Sequence, residues 1–324
     1  MKRFPEYLVT VWIILTINFL LPRMVPGDPL LYLSGEAGGD TAVSLDEETR
    51  QKLKKYYGLD RPLWQQYVHY LKGICRADLG YSLYFKKPVS LLICKTLPWT
   101  LALVIPAILF SAFAGMILGT WAAWQRGRMP DRLMLLSVTL TAAVPSFLLA
   151  VFMQMMFAIR LEWFPVSGAM DFYQNYGSMW EKIRDVSGHW VLPFACLSGV
   201  MIPEKCLLVR NTLLGILGED YIFTARLRGI PESLLMYRHA LPNALLPLFT
   251  HVTTRLGLAA GGMIFIESIF SYPGMGELMH RAVMTHDYPL AQGIFLLITL
   301  TVLTLNYLAD LLYPCLHPLA EAGR

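Results

Sequence analysis

The chain has 324 residues, of which 55% are hydrophobic and only 15% charged, and its net charge is +4. Charge this sparse cannot solvate a globular surface, which excludes an ordinary soluble domain and implies an integral membrane protein. The mild positive excess suits basic inner loops and argues against a nucleic-acid partner, which needs a clustered basic face.

Crossing the hydrocarbon core takes roughly twenty apolar residues in a helix. Six segments qualify, some with help from their flanks: 7–24, 97–124, 133–159, 190–209, 244–270 and 289–313. The fourth is interrupted by Glu204 and Lys205. The first follows Lys2 and Arg3 and has no small-x-small cleavage site after it, so it reads as a retained anchor and not as a signal peptide. The expected fold is all-α, with six transmembrane helices. Its parts are an N-terminal helix at 1–25, an extracytoplasmic insertion at 26–96, a membrane core at 97–315 and a tail at 316–324.

Lys and Arg in the short loops set the direction of the spans. Lys2 and Arg3 precede the first. Arg126, Arg128 and Arg132 lie between the second and third, and Lys205, Arg210, Arg226, Arg228 and Arg238 fall around the fourth-to-fifth connection. All three sets share one side if both termini are cytoplasmic. The stretch at about 218–243 is then cytoplasmic too.

In the outer insertion, Leu45-Asp46-Glu47-Glu48 leads into a polar helical run. Beyond it Trp64, Tyr67, Val68 and Leu71 recur at helical spacing. This predicts a small amphipathic subdomain on the outer membrane face, either a lid packed on the spans or a landing surface for an external partner. Five cysteines (Cys75, Cys94, Cys196, Cys206, Cys315) form no metal-ligand spacing. Cys75 and Cys94 could pair if their segment is outside, with free thiols the alternative. His280 and His286 lack a third ligand, and sixteen methionines scattered through apolar segments read as core filler.

The cytoplasmic stretch GEDYIFTARLRGIPESLLMYRHALPNALLP has the makings of a helix–Gly–helix elbow. Asp220 suits an N-cap, Gly229 can end the first helix in left-handed geometry, and Pro231 with Glu232 suits the start of a second. Leu234, Tyr237, Arg238 and Leu241 fall on one stripe. Physics leaves two occupants for such a surface, anionic lipid headgroups or the groove of a soluble partner.

The motifs TA-RLRG and RHALPNALLP resemble the coupling-loop signature of binding-protein-dependent ABC importer permeases, roughly E-A-A, three residues, Gly, nine residues, I-x-L-P. Ala225, Gly229, Leu241 and Pro242 match at the right spacing; Phe223, Thr224 and His239 depart from it in the manner of the dipeptide/oligopeptide/nickel branch. RMVPGDP, YGLDRPLWQQY, ADLGYSL, PSF, WFPVSG, IESIFSYPGMGEL and HDYPLAQG resemble that branch along nearly the whole chain, as its first-permease subunit. The resemblance implies a bacterial inner-membrane subunit, multi-pass with both termini cytoplasmic. It also implies a second homologous permease, two cytoplasmic ABC ATPases and an extracytoplasmic binding protein as partners. The coupling-loop residues would be Ala225, Arg226, Arg228, Gly229, Arg238, His239, Leu241 and Pro242, the arginines meeting acidic groups on an ATPase groove. No G-x-x-x-x-G-K-[ST] loop occurs, so no cofactor is expected on this chain, with ATP and Mg on the ATPases and no catalysis here.

Arg255 lies about 15 Å into the fifth span at 1.5 Å per residue. An unpaired cation there costs at least ~2.5 kcal/mol, so it should face protein or water. His251, one turn earlier, shares its face. The pair either lines a polar path or forms a structural ion pair with Glu204. The resemblance implies a re-entrant or outer-gate turn that Glu267 holds, which puts it with His251 and Arg255 as a substrate-pathway candidate. The alternative is a capping or solvated carboxylate, and Asp310 reads as an interfacial or packing residue. The rival function, a proton-coupled carrier working in a single chain, predicts inverted repeats and paired intramembrane carboxylates, and neither is evident.

Overall fold

The computed structural model describes residues 3–24, 51, 61–82, 84–171, 176–259, 263–285 and 287–316. The run after Leu45, the tag beyond Met24, His286 and the tail lie outside these residues, and the side chains of Asp310 and Cys315 are likewise not described. Helix α1 (Arg3–Met24) is followed by α2 (Leu63–Cys75) and an antiparallel pair, β1 (Tyr81–Ser82) and β2 (Lys87–Pro88). Then come α3 (Val89–Trp124), α4 (Met129–Ala143), α5 (Ser146–Met153) with a π-helical turn Gln154–Arg160, and α6 (Met179–Ile216). Next are α7 (Asp220–Leu227) and α8 (Glu232–Leu234), the latter with a π-helical turn Leu235–Ala240. The described chain closes with α9 (Leu241–Leu258), α10 (Ile264–Ile269), α11 (Met275–Met284) and α12 (Tyr288–Leu316).

Among the described residues two helices, α3 and α6, are long and apolar enough to cross a membrane unaided. The fourth expected span therefore exists in spite of Glu204 and Lys205, as an unbroken 38-residue helix. Lys205 is fully buried within it, so it is no loop cation and drops out of the orientation argument. The third expected span is not straight: α4 and α5 meet at 97°. Pro145 disfavours helical geometry at its predecessor, and Val144 is extended at φ −80°, ψ 122°. The fifth is broken as well, because α9 ends at Leu258 and α10 is a separate short helix. The first and sixth segments carry shorter apolar stretches, Pro5–Leu20 and Tyr288–Thr304.

The α3–α6 crossing is the centre of the fold, and Gly115 and Gly119 make it close. A Cβ at Gly115 would lie 2.6 Å from the Lys205 Cβ, and one at Gly119 2.6 Å from the Cys206 carbonyl oxygen. Small residues four apart let two backbones approach in this way, where lipid supplies no hydrophobic drive to association. Around this crossing Leu103, Ile108, Leu192, Leu197, Ile266 and Tyr272 form the main core.

On one side of the molecule the hairpin is locked to α12. Asp287 is buried and accepts hydrogen bonds from the Ser82 hydroxyl (2.5 Å), the Tyr84 amide (3.1 Å) and the Leu290 amide (3.2 Å). Two tags that stood far apart in sequence, ADLGYSL and HDYPLAQG, are thus one contact. Helix α2 leans on α1 through Thr16–Tyr67 (2.7 Å) and Asn18–Tyr70 (3.0 Å). Its expected stripe divides: Tyr67 and Leu71 turn inward, whereas Trp64 is 65% exposed and Val68 is exposed too. Cys75 and Cys94 do not pair; both are free, exposed thiols.

Candidate functional site

The elbow is built from residues 218–243. Its first helix begins at Asp220, with Glu219 in the capping position and no side-chain cap, so Asp220 is not the cap that its residue type suggests. The helix ends in a Schellman motif: the Gly229 amide donates to the Arg226 carbonyl (3.0 Å) and the Ile230 amide to the Ala225 carbonyl (3.3 Å). Gly229 sits at φ +75°, where any other residue is strained. Arg226 then reaches across the turn to Glu232, its Nε to Oε1 at 2.5 Å and its Nη2 to Oε2 at 3.1 Å. Within this chain the acidic partner of Arg226 is Glu232. The guanidinium holds the Glu232 carboxyl below its ordinary 4.5.

Pro242 has no amide to give the Arg238 carbonyl, and the turn ahead of it widens to π-helical geometry over Leu235–Ala240. Asn243 ties the two halves together, its Nδ2 donating to the Tyr221 hydroxyl (3.0 Å) and to the His239 carbonyl (3.1 Å). The buried stripe is Leu235, Met236, Ala240, Ala244 and Leu248, joined by fully buried Ile222 from the first helix. The stripe expected from spacing is the other one. Leu234, Tyr237 and Arg238 are exposed, as are Phe223 and Leu227, which gives the elbow an outer face rich in apolar side chains, whereas Leu241 is half-buried and packs on the buried stripe. Arg228 is exposed beside it. Near the elbow, α4 is clamped to α6 by Asp131, which accepts two hydrogen bonds of 2.8 Å from Arg210, from Nε and Nη2.

The second cluster lies between α6 and α9. Glu204 Oε2 accepts from Arg255 Nη2 at 2.7 Å, and Oε1 accepts from Arg255 Nη2 and His251 Nε2, both at 2.9 Å. The ion pair allowed by the sequence therefore exists. It is also open: the Glu204 side chain is 46% exposed and that of Arg255 37%. The free face of α9 is mixed, with Asn243, Thr250 and Thr254 exposed beside Leu245, Leu246 and Phe249, and Thr253 half-buried. These threonines are not singled out from the sequence, although THVTTR places five polar side chains within six residues. Beside the cluster, Lys205 donates to the Ser111 hydroxyl at 2.8 Å.

Glu267 does not join this cluster. It is fully buried and caps α11, with Oε2 accepting from the Gly276 amide (2.7 Å) and Oε1 from the Thr100 hydroxyl (3.0 Å). The Thr100 oxygen in turn accepts from the Met275 amide at 2.6 Å. These contacts cap α11 and also fasten the turn that leads into it, and Glu267 lines no open surface of this chain. Among the described residues no group of three His, Cys, Asp or Glu could hold a metal.

A mostly helical chain with long apolar spans and a braced polar elbow is the anatomy of a membrane permease, and comparison with known proteins gives the family. Residues 115–321 match the family described as binding-protein-dependent transport system inner membrane component, and residues 1–104 match its N-terminal membrane-component family. The chain belongs to this family of ABC importer permeases. Its relatives include the glutathione transport system permease protein GsiC of Escherichia coli K12, 31% identical over 98% of this chain and 96% of the relative. The GsiC proteins of Salmonella typhimurium LT2 (32%, 98% and 97%) and Shigella flexneri serotype 5b (31%, 98% and 96%) are similarly close.

Proposed function

We propose that this chain is one of two permease subunits of an ABC importer for small peptides. It crosses the inner membrane six times with both termini cytoplasmic. The elbow is its coupling loop: Ala225, Arg226, Arg228, Gly229, Arg238, His239, Leu241 and Pro242 form or flank the knob that a cytoplasmic ATPase grips. The observation that carries this reading is the bracing of the elbow. A Schellman turn, the Arg226–Glu232 pair and the Ile222 plug make it a stiff body continuous with α6 and α9. A floppy loop would dissipate the displacement delivered by ATPase closure; this one passes it to the spans. ATP and Mg bind the partner ATPases, and an extracytoplasmic binding protein delivers the solute. His251 and Arg255 belong to the wall of the path between the two permeases.

Small peptides are put ahead of a nickel chelate because the relatives above are named for glutathione, itself a tripeptide. The test is a mild-detergent pull-down of the tagged chain from its native host, beside Gly229→Pro. Co-purification of an ATPase, a second permease and a binding protein, with the ATPase alone lost in the variant, is expected. A chain recovered without any ATPase at wild-type abundance would overturn the reading.

A further inference from the structure

The cluster between α6 and α9 has more positive than negative charge. Arg255 is a cation paired with one carboxylate, Glu204, His251 donates to that same carboxylate, and Lys205, next to Glu204 on α6, is a second cation that turns toward Ser111 on α3. Lys205 is fully buried, and its one hydrogen bond among the described residues goes to a neutral hydroxyl, that of Ser111. Arg255 spends only Nη2 on Glu204. Among the described residues its Nε and Nη1 hydrogens meet no acceptor, although a guanidinium offers five donors in a fork suited to a carboxylate. The surface around this half-used fork carries Thr250 and Thr254 beside exposed Leu246 and Phe249, with the threonine hydroxyls bonded to carbonyls of their own helix. An open guanidinium and an open carboxylate are costly against hydrocarbon and belong against water or protein.

We infer that Arg255, braced by Glu204 and backed by Lys205, is a way-point for the free carboxylate of the solute in transit. The class of solute favoured by the path is thereby peptides with an unblocked C-terminus. The inference rests on the reading of this face as the wall of a transport path. Glu204 holds the guanidinium in place by one terminal nitrogen, which leaves the rest of the fork to the passing carboxylate. Lys205 supplies the charge that the carboxylate balances while it is bound. Release follows easily, because Glu204 remains as a counter-ion when the solute leaves.

The experiment uses the full complex, with its second permease, ATPases and binding protein, in vesicles of phosphatidylethanolamine and phosphatidylglycerol. Uptake of trialanine and of trialanine amide is compared in wild type, Arg255→Gln, Arg255→Lys and the charge-swapped pair Glu204→Arg with Arg255→Glu. Co-purified ATPase confirms assembly of each. Arg255→Gln is expected to lower trialanine uptake about tenfold, equivalent to one charge-assisted contact, and to leave the amide within about twofold. Arg255→Lys keeps a substantial part of trialanine uptake. The swapped pair restores the ion pair but not uptake of the free acid. Equal losses for both peptides in Arg255→Gln, with uptake rescued by the swap, would make the pair purely structural and overturn the inference. If wild type does not import the amide, the swap alone decides. A wild-type complex that imports neither peptide overturns the peptide reading itself, and this inference with it.

Discussion

Glu267 is a fully buried carboxylate that holds α10, α11 and Thr100 of α3 together. It closes the first turn of α11 from inside, and the turn has been shaped around it: a Cβ at Gly274 would land on its carboxylate, and one at Gly276 would lie 2.8 Å from the Ile264 Cα. Gly274→Ala should therefore lower the melting temperature of the detergent-purified protein well below that of Gly199→Ala, where a Cβ meets nothing within 4 Å. The Asp131–Arg210 clamp is buried on both sides, at 3% and 12% exposure. Removing one partner leaves a buried charge, so Asp131→Ala should cost about 3–5 kcal/mol in the same measurement. Glu232 offers a test by pH. Its carboxyl is held below 4.5 by Arg226, so the tie is fully present above that value and is lost as pH falls through the depressed value. Amide exchange at Gly229 and Ile230, corrected for intrinsic rates, should rise only in that acid range in wild type. In Glu232→Gln it should already be raised at neutral pH.

The membrane helices were legible where the apolar run was long, and their interruptions were legible only in part. Val144-Pro145 carries the physical reason for a bend, yet hydropathy averages across it and reads one straight span. Glu204 and Lys205 misled in the opposite direction. They look like a break, but Lys205 is accommodated by Ser111 and Glu204 by Arg255 and His251, so α6 runs on unbroken. Such accommodation depends on neighbours 47 to 94 positions away, which a window of sequence does not contain. The Gly115–Gly119 seam was visible as a spacing and went unused. Gly119→Val should separate α3 from α6 and reduce the yield of folded protein on size-exclusion chromatography. Gly215→Ala on the same α6, where a Cβ meets nothing within 4 Å, should leave it unchanged.

Across the whole molecule, the elbow's existence was legible from Gly229 and Pro242, but the face it buries was not. Spacing nominated Leu234, Tyr237 and Leu241, and packing buried Leu235, Met236 and Ala240, the last two set against Ile222, Val209 and Leu213. Ile222 joins the elbow to both flanking helices. Ile222→Ser should accordingly leave an ATPase bound but uncouple hydrolysis from uptake, seen as more ATP consumed per peptide imported in vesicles. The hairpin lock at Asp287 has a different kind of consequence. Because Ser82 and Asp287 satisfy one another from opposite ends of the chain, neither segment is portable by itself. A hybrid that takes residues 77–83 from a distant homologue and keeps 286–293 from this one joins two halves of different locks. Domain-exchange libraries in this family should yield assembled proteins chiefly where both segments come from the same parent.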